Sequence, residues 1–183
     1  MKLIIDPGHG GSDPGAVGPS GLRESDVNLT LAFYLEQMHG GDCLLTRRTD
    51  DHVSLASRSA TDLGADAFIS LHCNAADHAR AQGFEIWTSH GDTGADTLAA
   101  AIFRSVMNSS SPQRRFRSDF SDSDPDKEAS FYVLTHTPMP AVLIETAFIS
   151  NPMEEQMLRD DNFLRLQACA IAAGVRQWTG GQT

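Results

Sequence analysis

Cysteine is scarce here: three in 183 residues, Cys43, Cys73 and Cys169, with no Cys-x-x-Cys pair. Neither a zinc knuckle nor the framework of a disulfide-stapled domain fits that count. No run of about 18 apolar residues is present to cross a membrane, and the chain opens directly on a strand pattern, so no signal peptide is expected. Positive charge is short as well. Fourteen Lys and Arg against 24 Asp and Glu give a formal charge of −10, which argues against nucleic acid as a partner, because a phosphate backbone calls for a basic face. Internal repeats and linkers are missing too, so residues 1–183 read as one domain, long enough to bury a core without covalent staples.

What is there concentrates at the ends of strands. Ile4-Ile5-Asp6-Pro7-Gly8-His9-Gly10-Gly11 delivers a histidine from an apolar strand into a glycine-rich loop, where backbone and imidazole can crowd a small ligand without Cβ clashes. Ala67-Phe68-Ile69-Ser70-Leu71-His72 ends the same way, and Val142-Leu143-Ile144-Glu145 ends on an acid. In open α/β sheets, groups at the carboxyl ends of strands converge even when they are far apart in sequence. Glu24, at the far end of the loop after Pro7, can join His9 and His72. Two histidines and one carboxylate with a position left open are the usual ligands of a catalytic zinc, and Glu145 then remains free as a general base. A second reading makes the glycine-rich loop a phosphate cradle. Against it, no Lys-Ser or Lys-Thr pair closes the loop and no helix begins within it.

The same residues carry a family resemblance. Ile5-Asp6-Pro7-Gly8-His9-Gly10-Gly11 with Asp13-Pro14-Gly15-Ala16, then Gly21 and Glu24, Leu45-Thr46-Arg47, Phe68 to Ala75, Gly83-Phe84-Glu85, Tyr132-Val133-Leu134 and Pro140 to Asn151 run in one order over nearly the whole chain. In these blocks the sequence resembles the zinc-dependent N-acetylmuramoyl-L-alanine amidases called amidase type 3, which cut peptidoglycan. The resemblance implies one Zn2+ on His9, Glu24 and His72, with Glu145 as the catalytic glutamate. It implies an α/β single domain whose twisted, mainly parallel sheet of about six strands is flanked by helices on both faces. Ala147 stands where the family often has Gly.

Other residues have plainer readings. Cys43 in a strand pattern and Cys169 on an apolar helix face read as buried small hydrophobes. Cys73 could be a nucleophile, but strand alternation aims it away from His72. His39, His52, His78, His90 and His136 lie in polar or turn surroundings and read as solvated or locally bonded. Asn74 shares the face of His72 and is a candidate substrate contact. Asp6 orients a ligand or, on the favoured reading, the loop backbone. Arg114, Arg115 and Arg117 are followed at once by Asp119, Asp122, Asp124, Asp126 and Glu128. This is a charge-compensated solvated loop, or one arginine reaches the cleft to meet a substrate carboxylate.

Periodicity places strands at 2–6, 42–46, 67–72, 83–88, 131–134 and 141–145, and helices at 26–38, from Ser54 to about Leu63, at 96–107 and at 163–178, the last docked by Phe163, Leu166, Ala170 and Ile171. Residues 108–129 show no period and read as a long loop. No room exists between Trp87 and Leu98 for an inserted regulatory helix, so an amidase that works as a monomer without an activator protein is expected. With no wall-binding segment and no export signal, the chain resembles a phage or prophage lysin, made in the cytoplasm, released at lysis and acting on the cell wall or in the periplasm. A mature exported form is the alternative. Two other functions stay open: a zinc peptidase or deacetylase acting on another cell-wall amide, and a catalytically silent peptidoglycan-binding module.

Overall fold

Unbroken apolar runs become the middle of a sheet, because only a strand covered on both faces tolerates them. β1 (Lys2–Pro7), β3 (Ala67–Asn74) and β6 (Ala141–Phe148) are such runs. They lie side by side in a six-stranded sheet of order β2-β1-β3-β6-β4-β5, with β2 (Asp42–Leu45), β4 (Glu85–Thr88) and β5 (Lys127–Glu128) outside them. Every neighbouring pair is parallel except β4 against β6. The computed structural model describes residues 1–61, 64–121 and 123–180.

The two faces are covered unequally. Leu3, Ile5, Ile69, Leu71, Val142 and Ile144 point toward three long helices, α1 (Glu24–His39), α3 (Gly94–Ser109) and α6 (Asp161–Gly180). Ile4, Phe68 and Leu143 point the other way, onto Val133 and Leu134 of the short α4 (Tyr132–Thr135), which packs beside α2 (Leu55–Ser59). A single turn of helix cannot roof a sheet, and the uncovered part of that face becomes the cleft. α5 (Pro152–Leu158) completes the set.

Local signals explain the helix ends. Gly40 ends α1 in the left-handed conformation with φ 68°. Thr93 and Asp96 form a capping box that starts α3. Where α6 crosses α3, a Cβ on Gly174 would stand 2.5 Å from Ile102 Cα, so glycine sets how closely the two helices approach.

Several expectations are corrected. Residues 131–134, expected as a strand, are the start and body of α4. Val133 and Leu134 both pack on Ile4, Phe68 and Leu143, as a helical turn lying over the sheet allows. The edge position goes instead to Lys127–Glu128, inside the segment read as structureless. α2 stops at Ser59 with Ala60 as its cap; its expected end near Leu63, like Asp122 of the acidic run, lies outside the described residues. Cys169 is exposed rather than buried, and Leu166 keeps 64% of its surface exposed. Ala170 and Ile171 dock as expected and Phe163 packs partly buried, while the stripe of α6 extends through Leu164, Ala168, Val175 and Trp178 instead of Leu166. No helix among the described residues is long and apolar enough to cross a membrane.

Candidate metal centre and cleft

His9 sits in the left-handed region at φ 61°, uncommon for a residue with a Cβ, and the loop is stapled to hold it there. Two arginines, each 4% exposed, do the stapling. Arg58 donates to the carbonyls of Pro7 and His9 and to Asp6 Oδ1, each at 2.7 Å, while Arg47 donates to the carbonyls of Pro7 and Gly8 at 2.9 Å. Asp6 also accepts from Thr46 Oγ1 at 2.6 Å and Ser70 Oγ at 2.8 Å, so it serves the loop backbone. Neither arginine was given a role by sequence reasoning. A charged side chain whose partners are carbonyls about 40 and 50 residues away leaves no local pattern.

The loop brings His9 against the end of β3 and the first turn of α1. His9, Glu24 and His72 offer ligand atoms that all lie within 4.8 Å of one another. Glu24 Oε1 is 3.2 Å from His9 Nε2 and 2.9 Å from His72 Nδ1. Asp13 Oδ2, 2.8 Å from His9 Nδ1, holds that side of the ring and leaves Nε2 facing Glu24, as donor to the carboxylate when the ring is charged and as a free lone pair for a cation when it is neutral. Two glycines make the crowding possible. A Cβ on Gly8 would meet the His72 ring at 2.3 Å, and one on Gly15, at φ 67°, would meet Glu24 Oε2 at 2.6 Å.

Electrostatics set Glu24 apart from its neighbours. Burial pushes its carboxyl up, but hydrogen bonds from His72 and His9 outweigh that and hold it well below the usual carboxylate range. Its hydrogen bond to His9 lifts that imidazole to about 9, against the opposing effect of burial. For His72, burial is again overcome by Glu24, and the pKa is raised. One anion thus holds two imidazoles that would otherwise repel one another when charged. A divalent cation suits such a donor set, and two histidine nitrogens with one carboxylate oxygen match the preference of zinc.

Glu145 stands beside this group without joining it. It is the register partner of His72 across β3 and β6, so both side chains rise on the cleft face. Its Oε2 is shut off from solvent with no hydrogen-bond partner. Burial raises its pKa to about 7, with the nearby histidines pulling the other way. Cys73, on the opposite face among Val27, Ala147 and Ile149, has a thiol pushed well above its ordinary pKa by burial. Asn74 donates to Glu85 Oε2 at 3.0 Å. The cleft, about 620 Å3, runs from these groups over Leu143 and Phe131 to Tyr132, Leu55 and His52. His52, read as solvated, is exposed and stands on this rim.

A mostly parallel α/β sheet with a free carboxylate at its strand ends, beside a His–Glu–His group that could hold a divalent cation, fits a class: hydrolases with an α/β fold. The sequence profile of N-acetylmuramoyl-L-alanine amidase matches residues 3–177. A sporulation-specific N-acetylmuramoyl-L-alanine amidase of Bacillus subtilis is 37% identical over 97% of this chain and 68% of its own length. The solved N-acetylmuramoyl-L-alanine amidase AmiC2 of Nostoc punctiforme superposes with a TM-score of 0.87 at 30% identity, over 98% of this chain and 97% of that one. The CwlD amidase of Clostridioides difficile, solved in complex with the GerS lipoprotein, shares the fold with a TM-score of 0.84 at 24% identity, over 98% of each chain. The chain belongs to the N-acetylmuramoyl-L-alanine amidase family, enzymes that hydrolyse the amide between N-acetylmuramic acid and L-alanine in peptidoglycan. It spans from 68% down to 52% of the length of the first curated relatives it matches.

Proposed function

We propose that this chain cuts the amide joining the lactyl group of N-acetylmuramic acid to L-alanine, using one zinc ion held by His9, Glu24 and His72, with Glu145 as general base and acid. The carrying observation is Glu145 Oε2, hidden from solvent, unpaired, and on the same face as His72. A bare carboxylate oxygen is costly unless it has a proton to handle.

Zinc, when bound, would supply a Lewis acid that polarises the amide carbonyl and makes water more acidic. The protein does the rest. Asp13 fixes the tautomer of His9, and Arg47 and Arg58 hold the loop that carries it. Glu145 Oε2 takes a proton from the attacking water and passes it to the L-alanine nitrogen as the carbon–nitrogen bond breaks. With a pKa of about 7, Glu145 is suited to both halves of that transfer. Asn74 serves the cleft by holding Glu85 in place.

Five residues, 89–93, separate β4 from α3, too few for an inserted helix, and both histidine side chains keep a fifth or more of their surface exposed, 25% for His9 and 20% for His72. On that basis the enzyme works as a monomer without an activator, unlike the relative solved with a lipoprotein. Its place of action is the cell wall, shared by the lysin reading and by wall remodelling such as the sporulation role in the name of the B. subtilis relative. A zinc peptidase or deacetylase would use the same groups, and family membership favours the amidase. A silent binding module has no use for Glu145.

Soluble muropeptides incubated with the protein, with chelator and with restored zinc, test this by mass spectrometry. The expected result is free stem peptide beginning with L-alanine, lost with chelator and regained with zinc. Cuts inside the stem peptide would make the protein a peptidase, and intact muropeptides and glycan polymers would leave only the binding module.

A further inference from the structure

Past Glu145 the sheet continues into a charged group that the reaction does not use. Glu145 is in register with His72 on one side and with Glu85 on the other, so the three side chains form a row on one face. Glu85 is 2% exposed. Its Oε1 accepts from Arg117 Nε at 2.5 Å and from Lys127 Nζ at 3.0 Å, and its Oε2 accepts from Asn74. With both oxygens committed, Glu85 is a holder of cations and not a contact for substrate.

The cations it holds face outward. The Arg117 side chain is 47% exposed, with only Nε spent on Glu85; its two terminal nitrogens have no acceptor among the described residues. Lys127, 23% exposed, lies with Nζ 4.9 Å from the centre of the Trp87 ring. The other acid near Arg117, Glu154, is buried and accepts from the Gly83 and Phe148 amides. A guanidinium anchored through Nε with its far edge free is a ready bidentate receiver for a carboxylate. In a chain of net charge −10, its place one strand beyond Glu145 puts a positive group close to the site where an acidic ligand would lie.

The cleft itself stops at Glu145, short of Arg117 and Lys127, and its far end has a different chemistry. Tyr132 (39% exposed) and Leu55 (55% exposed) stand there beside Ser54 and His52. Its one arginine, Arg58, is committed to backbone carbonyls and Asp6. Uncharged and partly aromatic, that end suits a neutral sugar. A muropeptide divides in the same way, into a neutral glycan and a stem peptide whose γ-linked D-glutamate carries a free α-carboxylate in some walls and a carboxamide in others.

We propose that Arg117, supported by Lys127, binds a carboxylate of the stem peptide, so that the peptide leaves the cleft across β4 and β5 while the glycan lies toward α2 and α4. This rests on the amidase reading, and the test separates the two. Zinc-loaded protein is titrated calorimetrically with L-Ala-γ-D-Glu-L-Lys and L-Ala-γ-D-isoGln-L-Lys, both amidated at the C-terminus so that they differ by one carboxylate. The wild type binds the acid about tenfold more tightly. Arg117→Gln brings the two within about twofold while leaving affinity for the amide unchanged, and Arg117→Lys restores part of the difference. Equal binding of the two peptides by wild type, binding of neither, or equal weakening of both in Arg117→Gln overturns the proposal. Turnover is read separately on the two matching muropeptides. A protein that discriminates the peptides yet cleaves neither muropeptide keeps the carboxylate site and loses the amidase assignment. One that cleaves both with equal kcat/KM keeps the assignment and loses the site.

Discussion

On either side of His72 stand two glutamates held in opposite ways. Glu24, on the α1 side, accepts from the amides of Ala16 and Cys73 at 2.9 and 3.0 Å and faces the nitrogens of both histidines. Glu145, on the β6 side, has a buried oxygen with no donor among the described residues. The first is driven far below its ordinary pKa and the second up to about 7. A carboxylate surrounded by donors stays an anion and can hold a cation; one deprived of them sits where it can exchange a proton near neutral pH. The donors around a glutamate, here two imidazoles first and the amides of Ala16 and Cys73 beside them, decide which task it performs.

Breaking each side separately gives the largest effects. His72→Ala is expected to lose zinc and activity together. Glu145→Gln is expected to keep one zinc per chain and lose about 10²- to 10⁴-fold in turnover, the usual worth of a positioned general base. Metal analysis and chromatographic turnover of muropeptides read the two quantities, and a zinc-replete Glu145→Gln with near wild-type turnover would remove the base assignment. A smaller change sharpens the ligand side: Asp13→Asn weakens the hold on His9 Nδ1 and is expected to cost 10- to 100-fold in zinc affinity with little change in melting temperature. Competition with a chromophoric chelator measures it.

The smallest effect comes from a buried carboxylate outside the cleft. Asp126, 3% exposed, accepts from Thr88 Oγ1 at 2.6 Å and is hydrogen-bonded to the Asp124 carboxyl. Burial, and then the neighbouring Asp124 carboxyl, raise it to about 7. A raised acid favours the folded state only while protonated, so its contribution is complete below about pH 4 and lost as pH rises through 7. Asp126→Asn should therefore raise the melting temperature at pH 8, on the order of 5 °C, and leave it unchanged at pH 4. Equal shifts at both pH values would show that Asp126 is not held protonated.

The same contrast explains what the sequence made legible. His9, His72 and Glu145 terminate apolar runs, and a polar residue closing such a run is visible without coordinates. The long helices were visible through their period. Residues that act across the chain left no such mark: Arg47 and Arg58 bind carbonyls of the β1 loop, and Glu85 looks like any acid at the start of a short strand. Phe131 to Leu134 misled because Phe, Tyr and Val favour strands, and the packing of Val133 and Leu134 on Ile4 and Phe68 overrode that preference. α5 was readable and missed, since Asn151 followed by Pro152 is a cap with proline at the first helical position. Leu166 fits a helical line with Phe163 and Ala170, and only the neighbouring helices reveal that it stands outside the buried stripe that Ala170 and Ile171 belong to.

β4 enters the sheet reversed, and its first residue, Glu85, stands level with Glu145 of β6 and, beyond it, His72 of β3. Whatever precedes β4 therefore reaches the rim directly, and the segment bearing Arg117 pairs with it there through Phe84. The candidate ligands come from the β1 loop, α1 and β3. The rim beyond Glu145 is carried instead by the segments on either side of β4, which supply none of the three, so the approach to the cleft on that side is shaped by chain separate from the chain that would hold a cation.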